Sequence, residues 1–240
     1  MILRLFIAAA AIGSVSATQA AVVTFQQGVG GYTGTVDTTI SAANPGTPQP
    51  ATDAFAIRVS GPNNGAGEQQ GLIRFDDIFG GGPNQIGAGA TINSATLSLN
   101  KLSGFGNVEA WELTTSFDES STWNSLGNGI QRTGGMETTG SAIDSQNFGG
   151  GGDGLFRDYD VTSSLINWAA NPALNEGWGL LMSFSNAGAA ANIRSSQNST
   201  AASTPILTVD FTPAAIPEPS SLGVLATLIG GCVVTRRRRR

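Results

Sequence analysis

The chain has 240 residues, 40% of them hydrophobic and 12% charged, with 33 glycines, a formal net charge of −5 and no histidine. Without an imidazole, Ser–His–Asp and Cys–His nucleophilic chemistry and His-ligated metal sites are excluded. The acidic balance argues against nucleic acid and anionic lipid as partners, because both need clustered Lys and Arg.

The chain opens with MILRLFIAAAAIGSVSATQA: one early charge at Arg4, an apolar run from Leu5 to Ile12, and small residues before a cleavage point after Ala20. This pattern is a secretory signal peptide, residues 1–20, with an apolar core too short for a membrane span. With Arg4, Glu218 and Arg236 to Arg240 set aside, six basic and sixteen acidic residues remain, so the exported body carries −10. The single cysteine, Cys232, lies in the terminal apolar run and allows no internal disulfide. Stability must therefore come from packing, and roughly 190 residues suffice for one core. A single domain over 21–213 is the expectation.

Within it, short segments alternate apolar and polar residues with the period of half-buried strands. They are VVTFQ from Val22, AFAIRVS with Phe55, Ile57 and Val59 on one side, and GLIRFDD around Ile73. INSATLSLNKL follows with Ala95, Leu97 and Leu99 inward, then VEAWEL around Trp111, GWGLLMSFS around Leu181 and PILTVDF around Val209. Gly- and Pro-rich connectors such as NPGTPQPATD, SGPNNGAGEQ, FGGGPNQIGAGA and NFGGGGDG separate them. One helix is predicted in DVTSSLINWAANP: Asp160 or Thr162 caps it, Val161, Leu165 and Trp168 recur at helical spacing, and Pro172 ends it. The predicted fold is all-β, a two-layer β-sandwich of jelly-roll type with one short helix.

The ordered set GLIRFDDI, GATINSATLSL, VEAWELTTSFDESSTWN, DYDVTSSLINWAANP, NEGWGLLM and PILTVDF, over about residues 71–211, resembles the DNRLRE domain family. The resemblance implies a β-sandwich and, for some members, binding of acidic polysaccharides such as alginate. Phe117 stands where the family commonly has Trp before its Asp/Glu pair. Arg194, Ser195, Ser196 and Gln197 replace its SSRE-like segment, so the carboxylate at the last of these positions is an amide here.

Candidate site residues divide by chemistry. Aromatic faces stack on pyranose rings, which makes Trp111, Trp178, Tyr32 and Tyr159 the candidate glycan-binding residues; core packing is the simpler account of each. Asp158 and Asp160, with Asp153 in the nearby glycine-rich loop, are candidate calcium ligands, against a simpler role in capping and surface solvation. Asp118 or Glu119 should turn the strand end in FDESSTWN while Trp123 fills core, and Asp76 and Asp77 mark a strand exit. A polyanionic ligand would need Lys101, Arg132, Arg157 and Arg194 on one face, or a calcium bridge; a neutral glycan needs neither. No catalytic residues are assigned.

The chain ends in IPEPSSLGVLATLIGGCVVTRRRRR. Residues 220–235 would form a transmembrane helix of roughly 24 Å, somewhat short of a hydrocarbon layer of about 30 Å, with snorkelling arginines and bilayer thinning closing the gap. Arg236, Arg237, Arg238, Arg239 and Arg240 hold that end in the cytoplasm. Pro217, Glu218 and Pro219 before an apolar stretch and an arginine cluster resemble the PEP-CTERM sorting signal, here residues 214–240. That resemblance implies recognition by an exosortase, a membrane transpeptidase, and an association with extracellular polysaccharide and biofilm. A plain membrane anchor is the simpler alternative. The expectation is an exported, non-enzymatic protein, transiently anchored and then placed at the cell surface or in the extracellular matrix, whose sandwich associates with polysaccharide. A purely structural or adhesive role is the second reading, and a carbohydrate-active enzyme using Asp and Glu alone the third.

Overall fold

A computed structural model describes residues 19–59, 67–132, 137–149, 152–184 and 188–215. The proposed signal peptide, apart from its last two residues, lies outside the described residues, as do Pro217, Glu218, Pro219, the apolar stretch and the arginine cluster. Ala20–Pro213 forms one compact unit. Among the described residues no helix is long and apolar enough to cross a membrane.

The body is mostly β, with twelve strands and one α-helix among the described residues. The strands are β1 (Ala21–Gln26), β2 (Thr35–Ser41), β3 (Gln49–Pro50), β4 (Ala54–Arg58), β5 (Gln69–Phe75), β6 (Thr91–Phe105), β7 (Asn107–Leu113), β8 (Thr138–Asn147), β9 (Phe156–Asp160), β10 (Trp178–Met182), β11 (Ala190–Arg194) and β12 (Ile206–Thr212). The helix, α1, spans Thr162–Ala170. All strand pairs are antiparallel and join into one curled sheet, giving a sandwich-like body.

The curl is set by β6. Its first ten residues pair with β12 and β9, while Lys101 to Phe105 pair with β11, so one long strand belongs to both sides of the sandwich. The turn occurs where Asn100 Nδ2 donates to the Gly154 carbonyl at 2.9 Å and the Lys101 N–H donates to the Leu155 carbonyl at 3.0 Å. Beyond it Gly104 sits at φ +95°, and a Cβ there would fall on the Ala190 carbonyl oxygen and 2.8 Å from the Ala191 Cα. Only glycine admits both that backbone conformation and the close approach of β11. On the other side β1 pairs with β12 from Ala21↔Phe211 to Gln26↔Ile206, so the first and last strands lie side by side.

Two apolar clusters follow from strand alternation. Ile73, Phe75, Val108, Ala110, Trp178 and Leu180 point into the larger one, joined by Phe55, Ile57, Leu97, Leu99, Leu207 and Val209. Leu72, Trp111, Leu113 and Leu181, from the opposite faces of β5, β7 and β10, meet Phe117, Trp123, Leu126 and Ile130 in a second cluster beneath the segment 114–130. These strands are buried on both faces, which explains their nearly continuous apolar runs. The covering segment is tied to β5 by Gln70, whose Nε2 donates to the Ile130 carbonyl (3.1 Å) while its Oε1 accepts the Ile130 N–H (2.7 Å).

The helix forms where expected. Val161, Leu165 and Trp168 are fully buried. Asp160 Oδ1 accepts the Thr162 N–H (3.0 Å) and hydroxyl (2.6 Å), which holds its carboxyl below the usual carboxylate range. The predicted strands all exist, but five others were not anticipated: β2, β3, β8, β9 and β11.

Gly104→Ala should lower the free energy of unfolding by about 2 kcal/mol or more, because left-handed strain and a backbone collision act together. Urea denaturation of the body measures this; a loss below about 0.5 kcal/mol would mean that β6 turns without needing a bare Cα.

Candidate functional site

The four candidate aromatics occupy different environments. Trp178 and Tyr159 are fully buried, and Trp111 is 8% exposed in the second cluster with its indole N–H donating to Glu109 Oε2 at 3.1 Å. Tyr159 donates its hydroxyl to the Val108 carbonyl at 3.2 Å, and burial raises its pKa well above the usual phenol value. A buried ring has no face to offer a sugar, so these three are core residues.

Tyr32 differs. It is half-buried, edge-on to Phe25 (5.3 Å) and stacked with Phe75 (6.3 Å), and its hydroxyl donates to the Asp76 carbonyl at 2.9 Å. Desolvation, reinforced by Asp76, raises its pKa, so it remains a donor. It lines an open groove of about 600 Å³ between β1, the turn after it and the loop following β5. Val22 and Val29, 67% and 46% exposed, form apolar walls, and Asp77, Asn84 and Gln85 supply polar groups. Gln85 is a strut of the loop: its Oε1 accepts the Gly82 N–H and its Nε2 donates to the Asp77 carbonyl, both at 2.8 Å. The groove thus combines one aromatic edge, two aliphatic walls and amide and carboxylate groups on a fixed frame.

The remaining carboxylates are largely occupied by the protein itself. Asp76 receives Arg74 in a bidentate pair (2.6 and 3.2 Å), and Arg74 also donates to the Phe117 carbonyl at 2.8 Å, locking the strand exit to the FDES segment. Asp118 turns that segment by accepting the Ser120 N–H at 2.8 Å, while Trp123 is buried beneath it. Asp158 accepts the Ser98 hydroxyl at 2.6 Å and Asp153 pairs with Lys101 at 3.4 Å, while Asp160 accepts the Thr162 hydroxyl at 2.6 Å from one residue before the N-cap, which is Val161 and not the expected Asp160 or Thr162. The three candidate calcium ligands therefore each have a separate partner, and among the described residues no three His, Cys, Asp or Glu side chains form a metal-binding group.

The four cations are likewise engaged in separate places. Lys101 is held by Asp153, and Arg194 lies 3.9 Å from Asp53. Arg132 sits between Glu68 and Glu109, each at 3.6 Å, with its guanidinium 3.9 Å above the Phe184 ring. Arg157 donates to the Asn147 carbonyl at 2.9 Å. Burial raises the pKa of Glu68, against the opposing pull of Gln70 and Arg132.

Sequence reasoning missed Asp37, the only carboxylate inside the Thr-rich run TVDTTIS. It is fully buried on β2, where its Oδ2 accepts the Ser196 N–H at 2.6 Å and its Oδ1 has no partner. Burial drives its pKa up to about 7 against the Ser196 hydrogen bonds, with the Glu119 charge adding to the rise. The two motif segments meet nearby, where Gln197 Nε2 donates to Glu119 Oε1 at 2.7 Å. A carboxylate at Gln197 would face Glu119 with like charge, so the amide suits this neighbourhood.

No family model matches the chain, and no curated protein matches it.

Between about pH 4 and about pH 7 folded Asp37 keeps a proton that the unfolded chain has released, so stability falls as pH rises, by up to about 4 kcal/mol from this group. Asp37→Asn retains an acceptor for the Ser196 N–H and should flatten that slope, leaving the variant the more stable protein at about pH 8. Urea midpoints across this range check it; equal slopes in the two proteins would remove Asp37 as the cause.

Proposed function

We propose that this chain is an exported, non-enzymatic surface or matrix protein whose β body associates with extracellular polysaccharide through the groove beside Tyr32. The supporting observation is the groove's composition: an aromatic edge, exposed aliphatic walls and planar polar groups on a hydrogen-bonded frame are what a glycan's alternating C–H faces and hydroxyls require. The absence of a cationic face among the described residues argues against a polyanion, since a body at −10 repels uronates.

Export and attachment belong to the same proposal. Residues 1–20 lead the chain out. The Pro217-Glu218-Pro219 tail, its apolar stretch as a transmembrane helix and the five arginines hold it until an exosortase-type transpeptidase cuts near the Pro-Glu-Pro. The resemblance to the DNRLRE family supports a two-layer sandwich of jelly-roll type with carbohydrate as its natural partner. A second reading, display of the body without glycan affinity, is favoured by the burial of Trp111, Trp178 and Tyr159.

Affinity electrophoresis of the body in gels containing the producer's own exopolysaccharide, with and without calcium, should show retardation that Asn84→Ala and Val29→Ser reduce severalfold. Unretarded migration in every gel would leave the second reading. For attachment, a tagged full-length chain should lose its tail and leave the cytoplasm, and replacing the five arginines by serine should block retention before cleavage. A tagged protein that stays cytosolic with both ends intact would overturn the export proposal.

A further inference from the structure

A second cavity of about 540 Å³ lies between α1, the turn after it and the end of β7. Its size falls within the roughly 300–1,000 Å³ of small-ligand sites. Two large aliphatic side chains, Ile166 and Leu174, border it at 50% exposure each. Ile166 is exposed on α1, whose Leu165 and Trp168 are buried, and Leu174 is exposed in the turn that follows.

The polar lining is entirely neutral or acidic. Glu112 comes from β7 and is 7% exposed. Its Oε2 accepts the Ser164 hydroxyl at 2.6 Å, and Ser164 in turn accepts the Trp178 indole N–H at 3.2 Å. That relay fixes Oε2, and among the described residues no Lys or Arg lies within ion-pairing distance of Glu112. Glu176 lies on the same cavity with Asn167 and Asn171. The Asn171 Oδ1 accepts the Ala173 N–H at 3.3 Å. A carboxylate held nine-tenths buried with no protein cation is a site that a cationic ligand completes.

We infer that this cavity binds the free amino groups of an amino-sugar polysaccharide: the ammonium pairs with Glu112 and Glu176, the ring's C–H face lies on Ile166 and Leu174, and its hydroxyls meet Asn167 and Asn171. The inference rests on the polysaccharide reading above and narrows its substrate class. Charge complementarity selects the occupant, because two carboxylates and a body at −10 repel uronate chains and attract a polycation, while N-acetylation removes the charge that Glu112 needs.

Calorimetric titration of the body, Ala20–Pro213, which contains the whole described core, with a β-1,4-linked glucosamine hexamer at about pH 6 keeps the amines charged. Binding should weaken roughly tenfold or more for the N-acetylated hexamer and for Glu112→Gln, which preserves the Ser164 hydrogen bond. Glu176→Gln and Leu174→Ser, both at the rim, should weaken it severalfold and decide the matter if Glu112→Gln fails to fold. Equal affinity for the two hexamers, no binding of either, or folded Glu112→Gln and Glu176→Gln proteins that bind like the parent would overturn the inference. Retardation by the producer's exopolysaccharide alongside such a failure would leave the general polysaccharide reading standing; loss of both would remove it.

Discussion

The arrangement depends on burying both faces of β5, β7 and β10. One face closes the main core around Trp178, Ile73 and Leu180; the other is covered by the segment 114–130 through Trp111, Leu72 and Leu181. A sheet buried on both sides needs a full complement of large apolar groups, and this chain is only 7% aromatic. Its tryptophans are consumed there. Turning one outward would forfeit about 1.5–3 kcal/mol of burial and open a cavity as well. The surfaces left for the proposed recognition are therefore half-buried or aliphatic, at Tyr32 and at Ile166 and Leu174, with polar groups beside them.

The same double burial explains the buried polar groups. Gln70 satisfies both backbone groups of Ile130 because the covering segment has no strand neighbour of its own there. Arg74 does comparable work at the other end, joining the β5 exit to Phe117 through a bidentate carboxylate pair and a carbonyl. Glu68 and Arg132 lie at the margin of this cover, where burial weakens the charged form of each and mutual attraction restores part of it. These contacts hold a long glycine-bearing connector as a fixed lid over a hydrophobic face.

Strands whose apolar and polar residues alternate cleanly could be read directly. Phe55, Ile57 and Val59, and Ala95, Leu97 and Leu99, point into the core as their spacing requires. So could the helix, since Val161, Leu165 and Trp168 sit a turn apart. The unanticipated strands lack that contrast for separate reasons. β2 is rich in Thr and carries Asp37; β8, TTGSAIDSQN, is mostly exposed and among the described residues pairs with β7 alone; β9 places charges between its two aromatics; β11 is short and built from small residues. Edge and corner strands are specified by their partners more than by their own composition. At the level of sites, aromatic identity suggested sugar platforms, but whether a ring faces water is decided by tertiary packing, and Glu112 and Asp37 become distinctive only once their burial is known.

The pairing of β1 with β12 in antiparallel register has a mechanical meaning. Ala21 sits opposite Phe211, so both ends of the body leave from the same end of a ladder. Tension applied across the two ends would part its rungs one after another, at low force, whereas a load carried from a single tether into the far side of the sandwich bypasses this seam. A domain tied down by one end alone keeps this seam out of the path of strain.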